Sequence, residues 1–265
     1  MFCPKCGKQI GDHDNFCEFC GYNFLERGQI ELGPERKDEP LMILNISKNE
    51  TLFLYESFLV HRGQRINYSH IEGISYLCTK TTHSVSLIPI EKSSRYSIQL
   101  QVAGKINKIE FTSESFPFGK SKSEIEKDEL FGRFCLIIEK LIKPFVLIGL
   151  LLRFAEEKQF KMPSLTINQN GLYRKGFWGK EEFLPWDQYY NAILKEGFLH
   201  IYKADNKKKY REYFMCSMNI INSIVLPDFL NFLFQKKGVL DEKTKLELIQ
   251  LKDELIAKSR RHIAG

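Results

Sequence analysis

Four cysteines near the start of the chain have the types and the spacing of a metal site. Cys3 and Cys6 form one C-x2-C-G knuckle, Cys17 and Cys20 form a second, and ten residues separate the two. Two thiolates at positions i and i+3 of a tight turn can face one ion, and a second such turn completes the tetrahedral sulfur coordination that structural zinc prefers. The spacing therefore predicts one structural Zn²⁺ per chain, with these four cysteines as its ligands.

The segment around the knuckles is too short to fold by burying apolar side chains. About 24 residues cannot enclose a core, so the metal must supply the folding free energy, on the order of 10 to 16 kcal/mol. A redox C-x2-C pair is the alternative, but two matched knuckles in one loop favour zinc. The start of the chain, Met-Phe-Cys-Pro-Lys-Cys-Gly, resembles the short zinc ribbons that open many prokaryotic cytoplasmic proteins. This resemblance implies a fold for residues 1–25 and no particular activity.

The composition of the chain is that of a soluble globular protein. With 43% hydrophobic and 27% charged residues, a chain of 265 residues can enclose a large core. The most apolar stretch, residues 145–152, is much shorter than the roughly 20 residues of a membrane span, and a knuckle at residue 3 leaves no room for a secretory signal. The remaining cysteines, Cys78, Cys135 and Cys216, are scattered in apolar runs, as reduced thiols are. We therefore expect a cytoplasmic protein.

The charge of the chain does not by itself indicate a nucleic-acid partner. The formal charge is +6, and four thiolates with one Zn²⁺ lower it by two, to +4. Within the ribbon, Lys5 and Lys8 stand against Asp12, Asp14 and Glu18. Nucleic-acid binding through the ribbon is therefore kept as an alternative to a protein partner, which we expect first.

Two blocks of similar order follow a polar linker at residues 26–40. In each block, short alternating apolar runs rich in β-branched and aromatic residues predict strands, and a helical pattern closes the block. In the first block Pro144 should kink or restart the helix, and the apolar stretch after it should be buried between the blocks. Residues 66–71 match residues 184–189 in the order of their apolar and aromatic positions. This match predicts an internal repeat.

Strands of a small bent sheet followed by one capping helix, twice over, resemble the pleckstrin-homology-like (PH-like) domains of prokaryotes. The resemblance implies an α+β fold with a first PH-like domain and its long helix at residues 41–160 and a second at residues 161–238. Each would be an antiparallel sheet or barrel closed by a C-terminal helix, and residues 239–265 would add a C-terminal amphipathic helix. In that helix Leu248, Leu251 and Leu255 share one stripe, so it docks on its own domain or binds a partner.

One loop between two predicted strands combines cations with aromatic rings. Its candidate ligand-binding residues are Arg174, Lys175, Phe177, Trp178 and Lys180. Such a loop can hold an acidic group or dip into a membrane interface. The alternative is that the indole ring of Trp178 folds back onto the sheet.

No motif of a known catalytic constellation is present in the sequence. The glycines near Lys180 have the wrong spacing for a phosphate-binding loop, and the six histidines are scattered singly. We therefore expect a non-enzymatic zinc-binding adaptor whose tandem PH-like domains bind a protein, a peptide or an acidic ligand. The alternatives are nucleic-acid binding through the ribbon and peripheral membrane attachment through the basic and aromatic loops.

Overall fold

The computed structural model describes residues 39–47, 50–85, 88–115, 122–175, 180–205 and 209–264. These residues form a mixed α+β structure with four antiparallel sheets and a few helices. The knuckles and the linker up to residue 38 lie outside the described residues, as do Phe177 and Trp178.

The first block contains a four-stranded sheet followed by a three-stranded sheet. The four strands are β1 (Met42–Ser47), β2 (Glu50–Leu54), β3 (Phe58–His61) and β4 (Gln64–Asn67), and each pairs antiparallel with the next. A 3₁₀ turn at Tyr68–His70 then leads into the second sheet. Its strands are β5 (Ile71–Val85), β6 (Ile88–Val102) and β7 (Lys105–Ser115).

The second block repeats this order. Its four-stranded sheet consists of β8 (Gln159–Met162), β9 (Leu165–Asn168), β10 (Gly171–Lys175) and β11 (Glu181–Pro185). After a 3₁₀ turn at Trp186–Gln188, the three-stranded sheet consists of β12 (Tyr189–Lys195), β13 (Phe198–Ala204) and β14 (Tyr210–Ser217). Four strands, a 3₁₀ turn and three strands thus occur twice in the same order.

The aromatic residue that opens each 3₁₀ turn has the same role in both blocks. Tyr68 is buried and its hydroxyl donates a hydrogen bond to the carbonyl oxygen of Tyr55, at 2.6 Å. Trp186 is buried and its indole N–H donates to the carbonyl oxygen of Asn168, at 3.1 Å. Both acceptors lie where the second strand of the four-stranded sheet turns into the third. The repeat predicted from residues 66–71 and 184–189 therefore corresponds to equivalent turns in the two blocks.

The four sheets are open, so the barrel expected as one form of each block is wrong. Among the described residues, no ladder joins a four-stranded sheet to the three-stranded sheet that follows it. The 3₁₀ turns at Tyr68–His70 and Trp186–Gln188 explain this, because residues in such a turn form hydrogen bonds along the chain and not to a neighbouring strand. Each block is therefore a pair of sheets.

One long helical segment closes the first block. It consists of α1 (Lys122–Ile137), a π turn at Ile138–Ile142 and α2 (Lys143–Glu157). Pro144 lies in the first turn of α2, directly after the π turn, and its missing N–H interrupts the helical hydrogen bonds there. The α-helix thus ends at Ile137 and starts again at Lys143, which agrees with the restart predicted at Pro144.

Helix α2 lies between the two blocks, as its apolar sequence predicts. It contacts β5 in the first block, β8 in the second, and α3 (Leu226–Gln235), which follows β14. The Phe154 ring meets the Phe229 ring of α3 edge-on, with 5.7 Å between centroids. The buried apolar side chains of both blocks form a single cluster that includes these two rings.

The last helix, α4 (Glu242–Ala264), packs against α2. Leu248 is buried and Leu255 is partly buried against the core, whereas Leu251 is 46% exposed. The prediction that Leu251 shares the docked stripe is wrong, because the docked face follows Thr244, Leu248 and Leu255 at spacings of four and seven residues. Leu246 and Ile249 are exposed beside Leu251.

Candidate interaction surface

The predicted zinc ligands Cys3, Cys6, Cys17 and Cys20 lie outside the described residues. Their chemistry fits zinc, because four thiolates in two matched turns supply the soft tetrahedral donor set that structural zinc takes. Within residues 39–264, as far as they are described, no group of three or more His, Cys, Asp or Glu side chains is placed to hold a metal ion.

Arg174, a predicted ligand-binding cation, joins three strands. Its Nε and Nη2 atoms donate hydrogen bonds to Oε2 of Glu182 on β11, at 3.0 and 2.7 Å. Its Nη1 atom donates to the backbone carbonyl of Tyr213 on β14, and the guanidinium carbon lies 4.8 Å from the centroid of the Tyr213 ring. The charge of Arg174 is therefore already engaged within the fold.

Tyr213 completes this cluster from the other side. Its single hydroxyl proton is shared between the carbonyl oxygens of Glu182, at 2.7 Å, and Leu172, at 3.1 Å. Burial of the hydroxyl raises the pKa of Tyr213 to about 12. The cluster ties the outer strand of the three-stranded sheet to the four-stranded sheet of the same block.

The other candidates in this loop are placed differently. Lys175 and Lys180 are exposed at the two ends of the segment that joins β10 to β11. Phe177 and Trp178 lie outside the described residues. Arg174 is thus engaged within the fold, whereas Lys175 and Lys180 are exposed to solvent. The ligand-binding role of this loop stays a prediction.

A second surface, which we call the aromatic face, lies on the outer side of the β12–β14 sheet. It consists of Tyr190 from β12, Phe198, His200 and Tyr202 from β13, and Tyr210 from β14. Tyr190 is 36% exposed, Phe198 is 40% exposed and Tyr210 is 48% exposed. Aromatic rings of this size left together in solvent mark an interaction site more often than isolated exposed residues do.

The alternation of β13 produces this face. Leu199 and Ile201 are fully buried and point into the core, so the residues between them point outward. In a strand with one solvated face, the outward positions are usually polar. In β13 the outward positions carry aromatic rings.

The five rings form a continuous row. Centroid distances are 6.4 Å from Phe198 to His200, 6.1 Å from His200 to Tyr202 and 5.2 Å from Tyr202 to Tyr210. Tyr210 and Tyr190 then stack at 5.1 Å, with 17° between their planes. These two tyrosines belong to the outer strands, which lie roughly 9 to 10 Å apart across β13, so their side chains lean towards each other over the sheet.

One lysine side chain lies at the tyrosine end of the row. The ammonium group of Lys209 lies 5.9 Å from the centroid of Tyr190. Lys203 has the inward parity of Leu199 and Ile201 on β13, and its ammonium group lies 5.8 Å from the centroid of the buried Tyr213 ring, on the other side of the sheet. Within the described part of the chain, the ammonium group of Lys209 forms no ion pair. The nearby carboxylates have other partners, since Glu212 contacts Nδ1 of His200 at 2.7 Å.

The hydroxyl of Tyr202 stays protonated at neutral pH. Partial burial, together with the nearby Glu212 carboxylate and Tyr210, raises the pKa of Tyr202 above its ordinary value. The aromatic face therefore presents the neutral hydroxyl of Tyr202, with the ammonium group of Lys209 at its tyrosine end.

Sequence reasoning missed the aromatic face. His200 was noted only as one of six scattered histidines. The signal was the pattern of residues 198–202, in which rings occupy every second position between buried aliphatic residues. Alternation alone indicates a strand, but the ring at each outward position indicates a contact surface.

Comparison with known proteins identifies one segment of the chain. Residues 2–24 match the zinc-ribbon domain family, which confirms the ribbon predicted from the two knuckles and supports zinc binding. No curated protein matches the sequence. Among the described helices, none is both long and apolar enough to cross a membrane.

Proposed function

We propose that this chain is a non-enzymatic interaction protein that holds one structural Zn²⁺ on Cys3, Cys6, Cys17 and Cys20. Its two-block body binds a protein, a peptide or an acidic ligand, and its ribbon is a second contact surface. The aromatic face carries the proposal, because a partner that covers its exposed rings removes apolar surface from water. The expected compartment is the cytoplasm.

The strand order supports a likeness of both blocks to PH-like domains. Each block has four strands, then three, and a helix after the last strand. On this proposal the chain divides into a ribbon at residues 1–25, a linker at 26–40, PH-like domains at 41–160 and 161–238, and a C-terminal helix at 239–265. In the second domain, the aromatic face is the outer side of the three-stranded sheet.

The proposed body is rigid, which suits a scaffold. The segment after β14 docks on the first block, where the Gln99 side-chain amide donates to Oδ1 of Asn219 at 2.9 Å. Lys143 of α2 pairs with Asp228 of α3 at 2.7 Å and with Glu139 at 2.7 Å. Burial lowers the pKa of Lys143, but these two carboxylates outweigh it and hold the pKa above its ordinary value.

The test compares what four full-length proteins capture from an extract of the source cells. They are the wild type, a Tyr202→Ala/Tyr210→Ala double variant, a Cys17→Ser variant and a Phe183→Ala control. Phe183 is a matched control because its ring is 47% exposed and stacks on Tyr173, but on the other sheet of the same block. Captured molecules are quantified by mass spectrometry and, for nucleic acid, by end-labelling.

We expect a set of molecules that binds the wild type and the Phe183→Ala control but is lost from the double variant. A set lost from Cys17→Ser alone would assign the contact to the ribbon. An identical captured set for all four proteins would contradict the proposal, because neither surface would then contribute to binding.

A further inference from the structure

We propose that the aromatic face binds single-stranded nucleic acid, with bases stacked on its rings and phosphates beside Lys209. This rests on the proposed function and names the class of its acidic ligand. The site differs from the ribbon, where nucleic-acid binding was first considered.

The row of rings defines the first requirement on the ligand. Four successive centroid distances between 5.1 and 6.4 Å link five rings across one side of the sheet. Such a row is complementary to a ligand that itself presents flat apolar rings in succession. Stacking of bases on aromatic side chains is the main sequence-independent contact in single-strand recognition.

Lys209 defines the second requirement. Its ammonium group lies 5.9 Å from the centroid of Tyr190, and no carboxylate among the described residues pairs with it. Arg211, on the neighbouring strand β14, pairs with Asp205 at 3.8 Å. The positive charge of Lys209 at the tyrosine end complements an anionic backbone.

Every nucleotide of a single strand supplies a flat base and an anionic phosphate, so single-stranded nucleic acid meets both requirements. A polypeptide does so only where aromatic and acidic side chains alternate in the right register. A duplex meets only the second, because its bases are stacked inside. The neutral hydroxyl of Tyr202 adds a donor for phosphate or base oxygens.

The test measures binding of a fluorescein-labelled oligo-dT of about 15 nucleotides to the full-length zinc-loaded protein by fluorescence anisotropy. Tyr202→Ala and Tyr210→Ala should each raise the dissociation constant about 5- to 100-fold, since each removes a stacking ring. Phe183→Ala should leave it unchanged. Tyr210 is 48% exposed, so its variant should keep the wild-type melting temperature, which is measured alongside.

The role of Lys209 is tested through the salt dependence. A Lys209→Gln variant should weaken binding and lower the slope of log Kd against log salt by about 0.7, because each phosphate contact to a single strand contributes about 0.7. A Lys105→Gln/Lys161→Gln variant, which changes two exposed lysines outside the aromatic face, should leave the slope nearly unchanged. Unlabelled duplex of the same length should compete poorly.

Three outcomes would overturn this inference. The first is no binding of oligo-dT to the wild type at low salt. The second is binding that Cys17→Ser abolishes and the tyrosine variants leave intact, which would place it on the ribbon. The third is a protein captured through the same tyrosines while oligo-dT does not bind; it would leave the proposed interaction function standing and change the class of its ligand.

Discussion

Asn222 forms hydrogen bonds with both backbone groups of Ile74. The N–H of Asn222 donates to the carbonyl oxygen of Ile74 at 2.8 Å, and the Oδ1 atom of Asn222 accepts from the N–H of Ile74 at 3.1 Å. Ile74 lies on β5, an outer strand of its sheet, so a residue of the second block pairs with the edge of the first. Such pairing satisfies buried backbone groups and covers a strand edge that would otherwise be open to other chains.

Replacing Asn222 should weaken this contact between the two blocks. Asn222→Ala leaves the N–H of Ile74 without its acceptor and puts an alanine at a φ of 70°. The two effects together should lower the free energy of unfolding by about 2 to 4 kcal/mol in urea denaturation. Asn222→Gly tolerates the φ angle, so it should be about 1 kcal/mol less harmful. A loss below about 0.5 kcal/mol in both variants would show that the contact contributes little.

A second prediction concerns Gly238, which follows α3. Its φ is +75°, and a Cβ atom there would lie 2.2 Å from both the carbonyl oxygen of Gln169 and Nε1 of Trp186. Gly104 has almost the same φ, +73°, with nothing within 4 Å. In thermal or urea unfolding, Gly104→Ala should cost about 1 kcal/mol and Gly238→Ala clearly more, about 3 kcal/mol. Equal costs would mean that only the backbone angle matters at Gly238.

The docking of α4 on α2 gives a third prediction. Leu248 is 5% exposed and Leu246, on the same helix, is 65% exposed. Leu248→Ala should lower the free energy of unfolding by about 2 to 4 kcal/mol, because it leaves a cavity in the packed face. Leu246→Ala should change it by less than about 0.5 kcal/mol. Similar effects of the two substitutions would show that α4 does not pack by this face.

High pH should destabilise the fold through its buried tyrosines. The pKa of Tyr213 is about 12 in the fold, against an ordinary value of 10.0, so between pH 10 and 12 the folded state keeps a proton that the unfolded state has lost. The stability contribution of this group is complete below pH 10 and is lost as the pH rises through 12. The sign is therefore a decrease of stability with rising pH.

Tyr213→Phe isolates this group. The variant should be less stable at neutral pH, since the hydrogen bond that the hydroxyl shares between two carbonyl oxygens is lost. Its stability should fall less steeply between pH 10 and 12, by up to one proton or about 1.4 kcal/mol per pH unit. Urea denaturation at several pH values measures the slope. Parallel slopes for wild type and variant would contradict the assignment. Burial also raises the pKa values of Tyr68 and Tyr96, so these two residues should account for pH dependence that remains in the variant.

Zinc content tests the ribbon. The purified protein should hold one zinc per chain by atomic absorption, and Cys3→Ser or Cys17→Ser should abolish it because each removes one of four thiolate ligands. Cys216→Ser is the matched control, since Cys216 is partly buried in the second block, where burial raises the pKa of its thiol to about 11. Zinc retained by both knuckle variants would contradict the four-cysteine site.

The order of the blocks was predictable from the sequence because it depends on strong local signals. The runs in residues 96–102 and 165–167 alternate clearly and became parts of β6 and β9. Other elements gave weaker signals. The apolar run of residues 51–60 favours one continuous strand, because its turn through Tyr55 and Ser57 contains neither glycine nor proline, whereas the structure forms a hairpin there. The four residues of β8 include two polar ones, so β8 was not predicted.

The candidate surface was less predictable than the fold. Arg174 and Trp178 drew attention by their types, but the engagement of Arg174 by Glu182 and Tyr213 depends on β14, which lies far along the chain. The aromatic face likewise requires three strands to bring Tyr190 and Tyr210 together. Sequence patterns report neighbours along the chain, whereas this contact joins residues twenty positions apart.

The helix shared by the two blocks makes them one cooperative unit in unfolding. Cutting the chain near residue 160 would separate the Phe154 ring from Phe229 and expose the faces that α2 presents to the second block. Neither fragment would then keep an intact core. We expect calorimetry of the whole protein to show a single transition for both blocks. A substitution at the contact between the blocks would then shift the melting temperature of both. An ancestral duplication that once gave two independent folds would thus have lost that independence.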